Sequence, residues 1–305
     1  MTSEHRRQTI TTPDGRDLEV VSAGPEDGRC LLWHSGTPSS AAIFAPSLAA
    51  AAERGLRYVT FSRAGYSTST PNPGRSVGDV AQDVITILDA LGFDTFLCAG
   101  QSGGGPHALA CAALLPDRVL ATATLAGVAP WPAEGLDWFA GMGPENLVEF
   151  EASINGAEAL TPLLDGEADH LRVVEAAEVA AALGGLVSDV DIRALTGAYA
   201  EHMAGSFHRA FSASTAGWRD DDLAFVHPWG FDVGAIRTPV AIWQGGEDRM
   251  VPMQHGEWLA AHIPGAERHL LPAEGHLSLA NNKLGAVLDG LLLMADTAPK
   301  SAPAS

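Results

Sequence analysis

The sequence predicts an α/β fold: a mostly parallel sheet with helices on both faces, interrupted by a long helical insertion. Two observations predict it. Short apolar runs alternate with stretches of helical periodicity over 30–125 and again over 239–295. That alternation is what strand–helix–strand crossovers in a parallel sheet require. Between the two blocks, residues 131–232 hold several helical stretches and no convincing strand. The chain of 305 residues, 46% of them apolar, is long enough for one large body carrying an insertion.

The elements follow in order. Residues 8–12 and 18–22 are rich in β-branched side chains, and Pro13-Asp14-Gly15 between them is a turn signal. The run Cys30-Leu31-Leu32-Trp33 reads as a buried strand that breaks at 34–38, and a helix is expected over 42–53, ending at Gly55. A strand over 57–61 precedes a helix over 79–91, where Val80, Val84, Ile87, Leu88 and Leu91 repeat at helical spacing and Gly92 ends the run. Residues 95–99 read as a strand, 106–115 as a helix stopped by Pro116, and 119–125 as a strand. After the insertion come a strand over 239–243, a helix over 253–262, a strand over 268–271 and a helix over 277–295. The small, polar end over 297–305 is expected to be disordered.

Charge narrows the function classes. The formal net charge is -19, which repels phosphate backbones and anionic membrane surfaces, so neither nucleic acid nor membrane is an expected partner. The insertion carries 18 acidic and 4 basic residues, and four of the seven tryptophans: Trp131, Trp138, Trp218 and Trp229. Aromatics on an acidic insertion fit one face over an apolar cavity and one in water, or simple packing against the body. Cys30, Cys98 and Cys111 are odd in number, far apart and set in apolar runs, so they read as reduced core thiols, and no His or Cys spacing suggests a metal. Residues 1–7 are polar with no apolar run behind them, and a cytoplasmic protein is expected.

The stretch Gly100-Gln101-Ser102-Gly103-Gly104 carries the chemistry. It lies between a strand and a helix, where a serine must turn in a strained conformation that lifts its hydroxyl clear of the sheet. Glycines two residues either side let strand and helix approach. It lacks the Lys-Ser/Thr ending of a phosphate loop.

With these features the chain resembles the α/β-hydrolase superfamily, the small esterases and peptidases with a helical cap, over roughly 9–293. Three further segments carry the resemblance. His34-Ser35-Gly36-Thr37-Pro38 is similar to the family's His-Gly-x-Pro loop, with Ser35 where His is usual. Ser62-Arg63-Ala64-Gly65-Tyr66-Ser67 is similar to its Arg-x-Gly-Tyr turn, shortened before Ser67. Gly245-Gly246-Glu247-Asp248 is similar to the turn that bears its acid.

The resemblance implies an eight-stranded α/β-hydrolase body over 1–130 and 233–296 and a helical lid over 131–232. It also implies a triad of Ser102, Asp248 and His276. A serine hydroxyl needs a base, and the base an orienting carboxylate. His276 is placed in the loop after the last strand; His255, His262 and His269 lie on elements and read as packing or surface residues. Asp248 is preferred to its neighbour Glu247. The oxyanion donors are the backbone N–H groups of Gly103 and Thr37, with Ser35 or Gly36 as register alternatives. Arg63 and Tyr66 support the site, and His107 bonds locally or touches the pocket floor. The substrate is a small molecule, uncharged and partly apolar, and no cofactor is needed. A carboxylesterase leads. The alternatives are a proline-releasing aminopeptidase, a cofactor-free haloperoxidase or perhydrolase, and a non-catalytic receptor.

Overall fold

The computed structural model describes residues 5–297. Eight strands form one sheet: β1 Arg6–Thr11, β2 Asp17–Ala23, β3 Arg29–His34, β4 Leu56–Phe61, β5 Phe96–Gln101, β6 Val119–Leu125, β7 Val240–Gly245 and β8 Glu267–Leu271. Their spatial order is β1-β2-β4-β3-β5-β6-β7-β8. β2 runs antiparallel to both its neighbours, and every pairing from β4 to β8 is parallel. The hairpin joining β1 to β2 closes where predicted, with Gly15 at φ 84° and Thr12 accepting from Gly15.

Side-chain alternation along the strands divides the core in two. Leu32, Cys98 and Ile242 pack on one face with α2 Val80–Leu91, α3 Gly104–Leu114 and α10 Met253–His262. Their neighbours Leu31, Leu97 and Ala241 pack on the other with α1 Ala45–Ala52 and α11 His276–Thr297. The central strands are buried on both faces, which is why they read as continuous apolar runs.

Between β6 and β7 the chain forms α4 Pro144–Asn155, α5 Ala157–Leu171, α6 Val179–Ala182, α7 Asp189–Ala194, α8 Gly197–Ala210 and α9 Ala216–Phe225, and no strand among the described residues. Leu160, Leu164, Leu171, Phe207 and Trp218 of these helices pack in a third cluster, together with Tyr66 and with Leu277 of α11.

Several boundaries differ from expectation. α1 starts at Ala45, because Pro46 takes the first turn and Phe44 before it is extended. α3 starts at Gly104, with Pro106 inside its first turn, where the missing N–H costs nothing. α11 starts at His276, so that residue opens a helix instead of sitting in a loop. Thr297 closes α11, and the rest of the expected disordered tail lies outside the described residues.

Parallel strands send their carboxyl ends to one edge of the sheet. The segments after β3, β5, β7 and β8 therefore meet there, however far apart they are in sequence.

Candidate active site

β5 runs directly into Ser102, which sits at φ 54° before α3 begins. A non-glycine residue in this left-handed region is strained, and the packing around it holds it there. A β-carbon on Gly100 would overlap the Gly104 carbonyl, and one on Gly104 would overlap that of His34. Both positions therefore require glycine. The Ser102 N–H donates to Leu125 O on β6 at 2.8 Å, fixing the turn against the neighbouring strand.

His276 and Asp248 are brought together. His276 Nδ1 lies 2.8 Å from Asp248 Oδ2, and both side chains are buried. The acceptor is a carboxylate, so Nδ1 carries the proton and Nε2 is left with a free lone pair. Asp248 is locked by the N–H groups of Met250 at 2.9 Å and Val251 at 2.8 Å on Oδ1, and by Gln244 Nε2 at 3.0 Å on Oδ2. Its rival Glu247 is exposed. Burial pulls the His276 imidazole down, but the charge of Asp248 and the hydrogen bond to it outweigh this and hold it above its ordinary value. Burial raises the Asp248 carboxyl, with His276 and Val251 pulling it back. Ser102 and His276 open on the same cavity, and no hydrogen bond joins the hydroxyl to the ring among the described residues. Such contacts are often long until substrate draws them in.

Asp191, from α7 in the insertion, was not singled out by the sequence. It is fully buried against the start of α11. Its carboxylate accepts from the N–H groups of His276 at 3.0 Å, Leu277 at 2.8 Å and Ser278 at 2.9 Å. The first N–H groups of a helix have no intrahelical acceptor, and here a side chain 85 residues away supplies it.

The 35–38 loop lies beside Ser102: a β-carbon on Gly36 would sit 3.3 Å from Ser102 Cβ, and one on Gly103 would overlap the Thr37 side chain. Arg63 holds this loop by donating to Ser35 O at 2.5 Å, Gly36 O at 2.9 Å and Thr37 Oγ1 at 2.9 Å. A trans peptide points its N–H opposite its C=O. With the Gly36 carbonyl turned to Arg63, the Thr37 N–H points away from Arg63. Among the described residues neither this N–H nor that of Gly103 has an acceptor.

Arg63 is itself held by Asp221 of α9, whose fully buried carboxylate also receives Arg75 at 2.6 Å, Tyr66 Oη at 3.0 Å and Thr37 Oγ1 at 2.6 Å. Burial opposes its charge, but Arg63 and Arg75 hold the carboxyl well below the usual range. Arg63 and Tyr66 thus support the loop, as the sequence suggests; the acid that anchors them went unnoticed there. His107 bonds locally, Nδ1 to Gly103 O at 2.8 Å, and is not part of the cavity wall.

The cavity has a volume of about 600 Å³ and reaches from the 35–38 loop up to α4, α5, α8 and α9. Of the insertion's four tryptophans only Trp218 lines it; Trp138 packs on Phe150 and His255, Trp131 on Trp138, and Trp229 is buried beside Gly78. His262 and His269 stack on Trp258 and Trp243. The three cysteines are free and buried. One grouping escaped the spacing argument: His34, Cys98 and Cys111 come from β3, β5 and α3, yet their ligand atoms lie within 4.8 Å of one another in the core, away from the cavity.

No helix of the described residues is long and apolar enough to cross a membrane. The family model of the alpha/beta hydrolase fold matches residues 30–283. The chain is 28% identical over 255 residues to "Putative carbamate hydrolase RutD" of Variovorax paradoxus, covering 83% of this chain and 86% of that protein. It is 29% identical over 122 residues to the bifunctional esterase/perhydrolase DCH of Acinetobacter calcoaceticus, a match spanning 40% of this chain and 44% of the relative. Among solved structures, a thermophilic esterase from Thermogutta terrifontis superposes with a TM-score of 0.67 at 20% identity, over 96% of this chain and all of the other. With its sheet order, its strand–serine–helix turn and a family match over most of its length, the chain belongs to the α/β hydrolase fold family.

Proposed function

We propose that the protein hydrolyses a small ester or related acyl compound through an acyl-enzyme, with Ser102 as nucleophile, His276 as general base and Asp248 as the acid that orients it. One observation carries the reading: a serine held at φ 54° opens on the same cavity as a buried imidazole bonded through Nδ1 to a buried carboxylate. The Ser102 oxygen bonds to the substrate carbonyl carbon as its proton passes to His276 Nε2. The carbonyl oxygen, now negative, takes the N–H groups of Gly103 and Thr37. The imidazolium returns the proton to the departing alcohol oxygen, and water hydrolyses the acyl-enzyme by the same route. Asp248 stabilises the imidazolium throughout. Residues 131–232 act as a lid that roofs the cavity and excludes water. The specific activity is carboxylester hydrolysis.

A panel of p-nitrophenyl esters of rising acyl length, run beside aminoacyl p-nitroanilides, tests this. Ester turnover is expected, and its loss in Ser102→Ala. Turnover of the anilides alone would replace the esterase with an amide-cleaving enzyme; ester turnover that survives Ser102→Ala would end the reading.

A further inference from the structure

The cavity wall has a charge pattern that the ester reading leaves unused. Four acidic residues line it, Glu145, Glu149, Glu167 and Asp222, and among the described residues no lysine or arginine does. Two of the four meet. The carboxyl of Asp222 on α9 faces that of Glu149 on α4. Glu149 Oε1 accepts from Trp218 Nε1 at 2.9 Å, while Asp222 is 1% exposed and its Oδ2 has no hydrogen-bond donor. The adjacent Asp221 takes up the nearby cations Arg63 and Arg75, so neither is available to this pair.

We propose that the Glu149–Asp222 pair is a recognition site for a protonated amine on the substrate. The proposal rests on the hydrolase reading and narrows it to acyl compounds bearing an ammonium group. Two carboxyls in contact need a positive charge between them, either a shared proton or a cation from outside. Burial holds both acids above the ordinary carboxylate range; the charge of Glu149 pushes Asp222 further up, while hydrogen bonding to Asp222 and Trp218 pulls Glu149 back against burial and Glu167. A cation supplied by the substrate relieves that repulsion. An ammonium brings several N–H donors, enough for both carboxylates, and Trp218 and Phe225 line the same cavity as aromatic neighbours for a cation.

The placement relates the pair to the reacting atoms. Trp218, Asp222 and Phe225 share one face of α9 at helical spacing. Phe225 Cζ would lie 2.9 Å from a β-carbon on Gly103, on the same position that the Thr37 side chain crowds. Asp222 is three positions before Phe225, roughly 4.5 Å along the helix axis. The amine thus sits a short spacer from the carbonyl, which fits short aminoacyl esters or amides. The proposal differs here from the uncharged substrate expected from sequence.

Isosteric pairs of methyl esters test the proposal: glycine against propionate, β-alanine against butyrate, 4-aminobutyrate against valerate. In the wild-type protein at neutral pH, kcat/KM is expected to favour at least one amino ester by about tenfold or more. Asp222→Asn and Glu149→Gln should each collapse that ratio. The ratio is the readout, so a general loss of activity does not mimic the result. Calorimetric titration with butylammonium and with 1-butanol reads the site without turnover, and only the ammonium should bind, with loss in Asp222→Asn. Equal or preferred turnover of the neutral esters, or no selective binding of butylammonium, overturns the amine site and leaves the hydrolase intact. Selective butylammonium binding with no ester turned over supports the site and defeats the hydrolase reading instead.

Discussion

At the scale of single residues, the pairing of His276 with Asp248 sets the protonation behaviour of the proposed reaction. The imidazole must be neutral to accept the serine proton. Its affinity for protons is held above the ordinary histidine value of about 6.5 by the buried carboxylate. The sign follows: activity is full above the raised value and lost as pH falls through it. The acid limb of kcat/KM should therefore lie above pH 6.5, measured across pH with a neutral ester. Asp248→Asn should lower kcat by about 10⁴-fold, because an amide permits the wrong tautomer. Any residual activity should show its acid limb at lower pH. A limb unmoved by the substitution would place the titration on another group. The sequence could single out these positions because each lies just past a strand end or at a helix start. Ser102 lies between a strand and a helix, Asp248 follows one strand end and His276 another. Asp221 and Asp222 are adjacent and chemically identical, yet one clamps Arg63 and the other faces Glu149. Nothing local distinguishes them, since a partner such as Arg63 is 158 positions away.

At the scale of elements, two acids of the insertion hold parts of the body's site. Asp191 caps α11 and so fixes the first residue of that helix, which is His276 itself. Replacing it by alanine strips three N–H groups of their acceptor. A loss of about 1–2 kcal/mol is expected in urea melts, together with a fall in kcat larger than any change in KM. Asp191→Asn keeps an acceptor oxygen but removes a charge that raises the imidazole's proton affinity. It should retain more stability than the alanine variant and shift the acid limb downward. Equal behaviour of the two variants would show that Asp191 only packs. The second element is the 35–38 loop. Arg63→Met removes the donors to Ser35 and Gly36 and leaves Asp221 with one guanidinium partner, so roughly 3–5 kcal/mol should be lost. The sequence placed this loop and the Arg63 turn near the site through their resemblance to family segments. It did not reveal that the insertion anchors both, because a capping or clamping role depends on tertiary approach and not on helical period.

At the scale of the whole molecule, the body follows local rules and the insertion does not. Strand alternation, glycine stops and proline breaks located every strand and helix of the sheet to within a few residues. In the insertion the helical period was visible, but which of its 18 acids are buried was not. Histidine burial adds a global consequence. His107 and His255 are fully enclosed, and desolvation takes them down to about 3 and about 4. Unfolded, each binds a proton near pH 6.5. Between that value and the folded one the unfolded chain holds more protons, so stability falls as pH is lowered. Each contributes up to about 1.4 kcal/mol per pH unit across its window. Melting temperature should drop steadily from pH 6.5 to 4, and less steeply in His255→Gln. A flat profile over that range would show these rings to be accessible to protons in the native state.

In the proposed reaction one serine, activated by the imidazole at the start of α11, attacks carbon. Intact mass after reaction with a fluorophosphonate, followed by peptide mapping, measures it most directly. One adduct per chain is expected, mapped to Ser102, absent in Ser102→Ala and strongly slowed in His276→Ala. An unmodified wild-type protein, or an adduct on another residue, would contradict it.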